Sequence, residues 1–323
     1  TASNPSSDEA IRRMIKETDG DKFECSRSIN QELTFDAAKK EFAKRKVGFG
    51  EAQMTTLGIK NSDGLYTNLG LLLSDQCVHT IKVAYFEGVT KGIFKDRREF
   101  GGSLLQQLHE VFDYVDLFNK LGATFSGLDR IDTRDYPAVA IREALLNAIV
   151  HRDYSFSGSI LISVYWDRIE FVSLGGLVSG LTLRDIMNGA SQTRNEKLAN
   201  LFYRLKHVEA YGTGIVKIME SYESHVSKPT IKATDNAFNI SIPNVNYSVG
   251  EEEKPTKAEP SENLQWNKIL KTITEKGSIT RQETERLLEV GQARASYVLK
   301  AMVDDGSIKV VDKGKKCKYV KRI

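Results

Sequence analysis

REALLNAIVHRDY, Arg142–Tyr154, is the stretch on which the reading of this chain turns. Ala140, Glu143, Ala144, Asn147 and Val150 fall three or four residues apart, so they share one face of a helix that ends near His151. Glu143 and Asn147 stand one turn apart and can point at the same ligand. A carboxylate can orient or deprotonate a water, and an amide oxygen one turn on can hold a hard cation such as Mg²⁺. Farther along, YGTGI (Tyr211–Ile215) places Gly212 and Gly214 on either side of Thr213, just before the amphipathic run Ile215–Tyr222. Glycines let backbone approach a phosphate closely, and a helix start offers unpaired N–H groups and a positive dipole end. Together the two stretches describe a nucleotide site, with one helix for metal and water and a second helix start for the phosphates. Each alone is weak. Glu and Asn four apart recur by chance on many helices, and Gly-Thr-Gly is often only a tight turn.

The chain between them adds weight. SILISVYW (Ser159–Trp166) and RIEFVS (Arg168–Ser173) read as two strands with a tight turn at Asp167. Gly175 and Gly176 end the second strand, a place where backbone can approach a ligand. Short helices are expected at Thr182–Met187 and Leu198–Leu205, separated by the polar loop Gly189–Asn195, and Phe238–Ile242 reads as a strand. Residues 136–246 therefore form one α/β domain.

Upstream, residues 1–135 read as an α/β region packed on that domain. Ser6–Glu9 fits a capping box opening a helix to about Lys16. Helices follow at Thr34–Lys46 and Gly50–Leu57, the latter stopped by Gly58. NSDG (Asn61–Gly64) is a turn before the apolar helix LYTNLGLLL. His79–Phe86 is a strand by its β-branched and aromatic content, and Gly102–Leu121 is a long amphipathic helix. His109 on that helix has no phosphotransfer box around it and reads as an ordinary histidine.

Downstream, residues 247–262 are charged, contain two prolines and lack apolar periodicity, so they read as a linker. Residues 263–323 give three helices (Leu264–Glu275, Thr280–Leu288 behind a capping box, Gln292–Asp304) and a hairpin of Ser307–Val311 and Cys317–Val320 around KGKK. That order is a winged helix-turn-helix. Its third helix would present Gln292, Arg294, Ser296 and Lys300 to a major groove. The wing would set Lys313, Lys315 and Lys316 on phosphate. A winged helix used for dimerisation is the competing reading of the same pattern.

The charge distribution agrees with a polyanion partner at one end. Net charge is +3, yet Lys309–Ile323 holds seven basic residues against one acidic, leaving the rest of the chain at −3. No run of eighteen apolar residues is present, which excludes a membrane-spanning helix, and the polar opening TASNPSSDEA is no signal peptide. Three widely spaced cysteines, Cys25, Cys77 and Cys317, fit a reduced cytoplasmic setting and no zinc spacing.

On REALLNAIVHRDY (142–154), RIEFVSLGGL (168–177), SQTRN (191–195) and VEAYGTGIVKI (208–218), the chain resembles RecG-related transcriptional regulators of the Schlafen/AlbA-type family. In these a divergent histidine-kinase-like (GHKL) ATPase domain is followed by a winged helix. DGLYTNLGLLL (63–73) is similar to the middle of the same proteins, and the opening TASNPSSDEAIRRMI looks like the tail of an upstream AlbA-type domain that this chain lacks. The implied fold class is α+β: a histidine-kinase-like α/β sandwich with an N-terminal α/β region and a C-terminal winged helix-turn-helix. The resemblance implies Glu143 as water-activating base and Asn147 as Mg²⁺ ligand. It places Gly175 and Gly176 near adenine, Arg194 among the cofactor-binding residues, and Gly212, Thr213 and Gly214 on phosphates, with 177–211 as a lid. One departure stands out. ATPases of this fold carry an Asp before the first glycine box, and Ser173-Leu174-Gly175-Gly176 contains no acid. No G-x-x-x-x-G-K-[ST] occurs, so no P-loop motor is encoded.

Three functions follow as expectations. One is a DNA-binding regulator of double-stranded DNA, with Mg-ATP binding that gates the winged helix. The second is a slow Mg-dependent ATPase acting on DNA. The third is a nucleotide-free scaffold. A helix-turn-helix dimer would read a palindrome, which makes a homodimer a further expectation, although no dedicated dimer helix is visible.

Overall fold

The structure, a computed structural model, describes residues 22–207, 213–247, 260–288, 292–304, 306–311 and 317–321. The helix expected at 6–16 lies outside them. The chain forms two compact units, Thr1–Val249 and Gly250–Ile323, and each is described by itself.

In the first unit a 3-10 turn at Phe23–Cys25 leads to three short helices: α1 (Asp36–Lys44), α2 (Glu51–Thr56) and α3 (Asn68–Leu73). Gly58, at φ +77°, follows the end of α2 as the sequence predicts. The Thr67 hydroxyl accepts from Gly70 N and caps α3. Then come β1 (Ile81–Glu87), β2 (Ile93–Phe100), α4 (Leu104–Asp116), the hairpin β3 (Leu121–Ser126) and β4 (Asp129–Arg134), and α5 (Ala138–Val150). The unit is completed by β5 (Ile160–Val164), β6 (Arg168–Leu174), α6 (Leu183–Met187), α7 (Glu196–Arg204), α8 (Gly214–Glu220), β7 (Thr230–Ala233) and β8 (Ala237–Pro243).

Six strands make one mixed sheet in the order β2-β1-β5-β6-β8-β7. β1 runs parallel to β5, with Ile81 opposite Ile160, and every other pairing is antiparallel. Along β6 the residues Ile169, Phe171 and Ser173 are buried while their neighbours are not, the period-two pattern of a strand with one covered face. Helix α5 is the centre of the packing. Ile141, Ala144, Leu145, Ala148 and Ile149 are wholly or nearly wholly buried, and α5 contacts α4, α8, β6 and β8. A helix apolar on most sides must be covered on most sides.

The sheet corrects the expected boundary between 135 and 136. β1 and β2, from the upstream stretch, are strands of the same sheet as β5 and β6, so the boundary cuts through hydrogen-bonded backbone. The long helix expected to reach Leu121 also ends sooner, at Asp116. Asn119 accounts for this: its Nδ2 donates to Asp116 Oδ1 at 3.1 Å, while its Oδ1 accepts from Tyr136 N at 2.9 Å. That side chain ties the helix end to the start of α5, and Leu121 onward pairs as β3.

In the second unit α9 (Pro260–Lys276) begins inside the stretch read as linker. β9 (Ile279–Thr280), α10 (Arg281–Leu288), α11 (Gln292–Asp304), β10 (Ile308–Val310) and β11 (Lys318–Lys321) follow. The capping box forms: Thr280 N donates to Glu283 Oε2 at 2.8 Å, and Glu283 N donates to Thr280 Oγ1 at 3.3 Å. The strands order as β10-β11-β9, all antiparallel. Ile269, Ile273, Ile279, Val298, Leu299, Met302 and Ile308 make a separate core.

Candidate functional site

Glu143 and Asn147 sit on the face of α5 that meets the start of α8. A Cβ placed on Gly214 would lie 2.9 Å from Asn147 Nδ2 and 3.2 Å from Glu143 Oε2. Glycine is therefore what allows the two helices to approach here. The two stretches singled out in the sequence are neighbours in space, and Asn147 and Gly214 line one small cavity together with Gly175, Gly176 and His151.

Glu143 is buried, and Arg142 Nη1 pairs with its carboxylate. Nη2 of the same arginine donates to His207 O, at the start of the stretch leading to the glycines. His151 is half-buried on the cavity wall, and burial together with the nearby Arg194 cation pushes it down to about 4, so it is neutral at physiological pH.

The first glycine pair has a structural reason. Gly175, at φ +101°, packs against Asp153, whose Cβ would be 2.8 Å from an added Cβ. Gly176 faces the backbone carbonyls of Thr234 and Asp235 in the β7–β8 turn. Arg194 stands beside them: its Nη2 donates to Gly176 O at 3.0 Å, and its Nη1 lies 3.4 Å from Asp153 Oδ2. Asn195 holds the end of α5, donating from Nδ2 to the carbonyls of Val150 and Arg152, each at 2.8 Å.

Two cavities meet at these glycines. The one on Asn147 and Gly214 is about 90 Å³. The other is about 750 Å³ and is lined by Asp153, Arg194 and Asp235 among others. Both include Leu177, Val178 and Leu181 in their walls. Sites for drug-sized ligands start near ~300 Å³, so the smaller cavity alone is too small for a nucleotide, whereas the larger is of ligand size.

The structure thus brings Glu143, Asn147, Gly175, Gly176, Thr213 and Gly214 to one region, with Arg194 at its edge; Gly212 lies outside the described residues. Reading the sequence passed over Asp153, His151 and Asn195. Asp153 is the informative omission. Residues 173–176 contain no acid, but Asp153 stands against Gly175, its N–H donating to Leu174 O at 2.8 Å. It lies in HRDY, inside the decisive stretch, where no periodicity marks it. In the second unit Ser296 and Lys300 are exposed on α11. The side chains of Gln292 and Arg294, and all of Lys313, Lys315 and Lys316, lie outside the described residues. Among the described residues no helix is long and apolar enough to cross a membrane.

Comparison with known proteins bears on the stretch that follows α5. Residues 158–242 match the family described as "Putative ATP-dependent DNA helicase recG C-terminal", an ATPase-like domain. No curated protein matches the chain. Among solved structures, the DIP2311 protein of Corynebacterium diphtheriae is similar at a TM-score of 0.59 and 20% identity, over 98% of this chain and 68% of that one. At that identity the likeness concerns the fold. Residues 158–242 are thus similar to a RecG-related, GHKL-like ATPase domain, and the match begins just after the helix that carries Glu143 and Asn147.

Proposed function

We propose that the first unit binds a magnesium nucleotide, with ATP the ligand its resemblance favours, and that the second is a winged helix-turn-helix that binds double-stranded DNA more or less tightly according to that ligand. The observation that carries the reading is the convergence of Glu143, Asn147 and Gly214 on the wall between α5 and α8, beside Gly175 and Gly176. The donor set suits the metal. Asn147 offers a hard amide oxygen and Glu143 a carboxylate, the ligand types Mg²⁺ takes alongside phosphate oxygens. Bound there, the ion would neutralise phosphate charge. Space requires the Leu177–Leu181 segment to move, joining the two cavities. The phosphates would then lie toward Asn147 and Gly214 and the base toward Asp153 and Arg194. Asp153 would supply the carboxylate that the stretch before Gly175 lacks.

Hydrolysis is secondary in this reading. The Glu143 carboxylate is engaged by Arg142 and must leave that pair to take a proton from water, which favours slow turnover or none. The nucleotide-free scaffold is the second reading, and the small volume beside Asn147 is what favours it.

DNA binding is the testable half. Arg294→Ala should weaken binding. Joint neutralisation of Lys313, Lys315 and Lys316 should weaken it across sequences and flatten the salt dependence by about one unit of slope per lysine. Mg-ATP should change the wild-type affinity. Unaltered affinity in both variants at low salt would overturn the DNA-binding role.

A further inference from the structure

Away from the glycines, α1, α4 and the turn after α7 bring three metal-ligating side chains together. Glu41, His109 and His207 each offer an atom, and the three atoms lie within 4.8 Å of one another. His207 Nε2 is 3.0 Å from Glu41 Oε1, and His109 Nε2 is 3.2 Å from Glu41 Oε2. A tetrahedral ion with bonds of ~2.0–2.1 Å holds its ligand atoms ~3.3 Å apart, so the two imidazole nitrogens, each facing a different oxygen of Glu41, need only draw together around one ion. His109 Nε2 is buried and faces the Glu41 carboxylate, poorly aligned for a hydrogen bond. Two imidazole nitrogens turned toward one buried carboxylate are a metal-ligand set already gathered.

From this geometry we infer a divalent transition-metal site built by Glu41, His109 and His207, suited to Zn²⁺ or Co²⁺. Two imidazoles and a carboxylate are the donor types these ions take, and three protein ligands leave a fourth position for water. His109, with 41% of its side chain exposed, gives the ion a way in. Arg45 is the competing cation. Its Nε donates to Glu41 Oε1 at 3.0 Å, and its Nη2 lies 3.5 Å from His207 Nδ1. A metal on His207 Nε2 would put the ring proton on Nδ1, facing that guanidinium, so Arg45 must swing out as the ion enters.

The site's position gives it a consequence. The backbone carbonyl of His207 accepts from Arg142, the residue paired with Glu143, and the chain runs on from His207 toward Gly212, Thr213 and Gly214. A metal on His207 would fix the residue from which that glycine stretch departs.

The test uses tag-free full-length chain, stripped with chelator and titrated with Co²⁺ alone and then Zn²⁺. One equivalent of Co²⁺ should bind with the visible absorption of a tetrahedral or five-coordinate ion, be displaced by Zn²⁺, and raise the melting temperature. His109→Ala, at a partly exposed position, should keep the fold and lose the absorption. Arg45→Ala should bind at least tenfold tighter, since it removes the competitor; a hydrogen-bonded cluster with no metal role would only become less stable. No cobalt spectrum at millimolar metal, or a spectrum unchanged in His109→Ala, would overturn the site.

Discussion

Gly214 and Gly176 are both crowded where a side chain would stand, but what crowds them differs. The atoms facing Gly214 are the far ends of two side chains, Asn147 and Glu143, which can turn aside. The atoms facing Gly176 are backbone carbonyls of Thr234 and Asp235, which cannot. Gly214→Ala should therefore cost less than about 1 kcal/mol of stability, partly offset by the better helix propensity of alanine. Its effect should fall on the ligand: with the Asn147 amide displaced, Mg-nucleotide affinity drops at least tenfold. Thermal melts beside binding titrations separate the two effects, and a large loss of stability with binding intact would contradict this reading. His79 supplies a second test. Burial, with the Arg152 cation 3.1 Å from its Nδ1, pushes it down to about 4. The unfolded chain, with a histidine near ~6.5, takes up this proton first. Stability is then full above pH 6.5 and lost as pH falls toward 4, by about 3 kcal/mol for this one residue. Denaturant melts of wild type and His79→Gln across that window should converge at low pH; parallel curves would remove His79 as the cause.

Among the elements, α11 carries the strongest stability prediction. Leu299 is fully buried in a core of few side chains. Leu299→Ala should cost about 2–5 kcal/mol, close to the whole stability of so small a unit. Calorimetry should show the transition of the second unit shifted far down or lost while that of the first stays put; a single transition moving as a whole would mean that the units do not unfold separately. The periodic elements, α1, α4, α5, β5 and β6, are visible in the sequence because burial imposes 3.6- or 2-residue patterns on them. β2 was not, because as a sheet edge it keeps its charged residues, Lys95, Arg97 and Arg98, outward and shows no apolar alternation. The β3–β4 hairpin was hidden for a similar reason: β4 is mostly exposed, and the long apolar run before it reads as helix up to Leu121. Site residues divided in the same way. Glu143, Asn147 and Gly214 could be named from spacing and glycine content. Asp153 could not, because its partner Gly175 is brought to it by the return of β6.

At the scale of the molecule, a mixed sheet covered by α5 and its neighbours brings Glu143, Asn147 and Gly214 to one point, and a second unit with its own core follows in the chain. The function proposed above needs both units: a ligand site with two states and a nucleic-acid surface that responds. In that proposal the Leu177–Leu181 segment must move, because the cavity beside Asn147 is too small for a nucleotide. The most direct test is calorimetric titration of Mg-ATP into the full chain, with Asn147→Ala alongside. The account predicts micromolar binding by wild type that needs Mg²⁺ and weakens at least tenfold in the variant. No heat in either protein would contradict it and leave the glycines and Asn147 as packing alone.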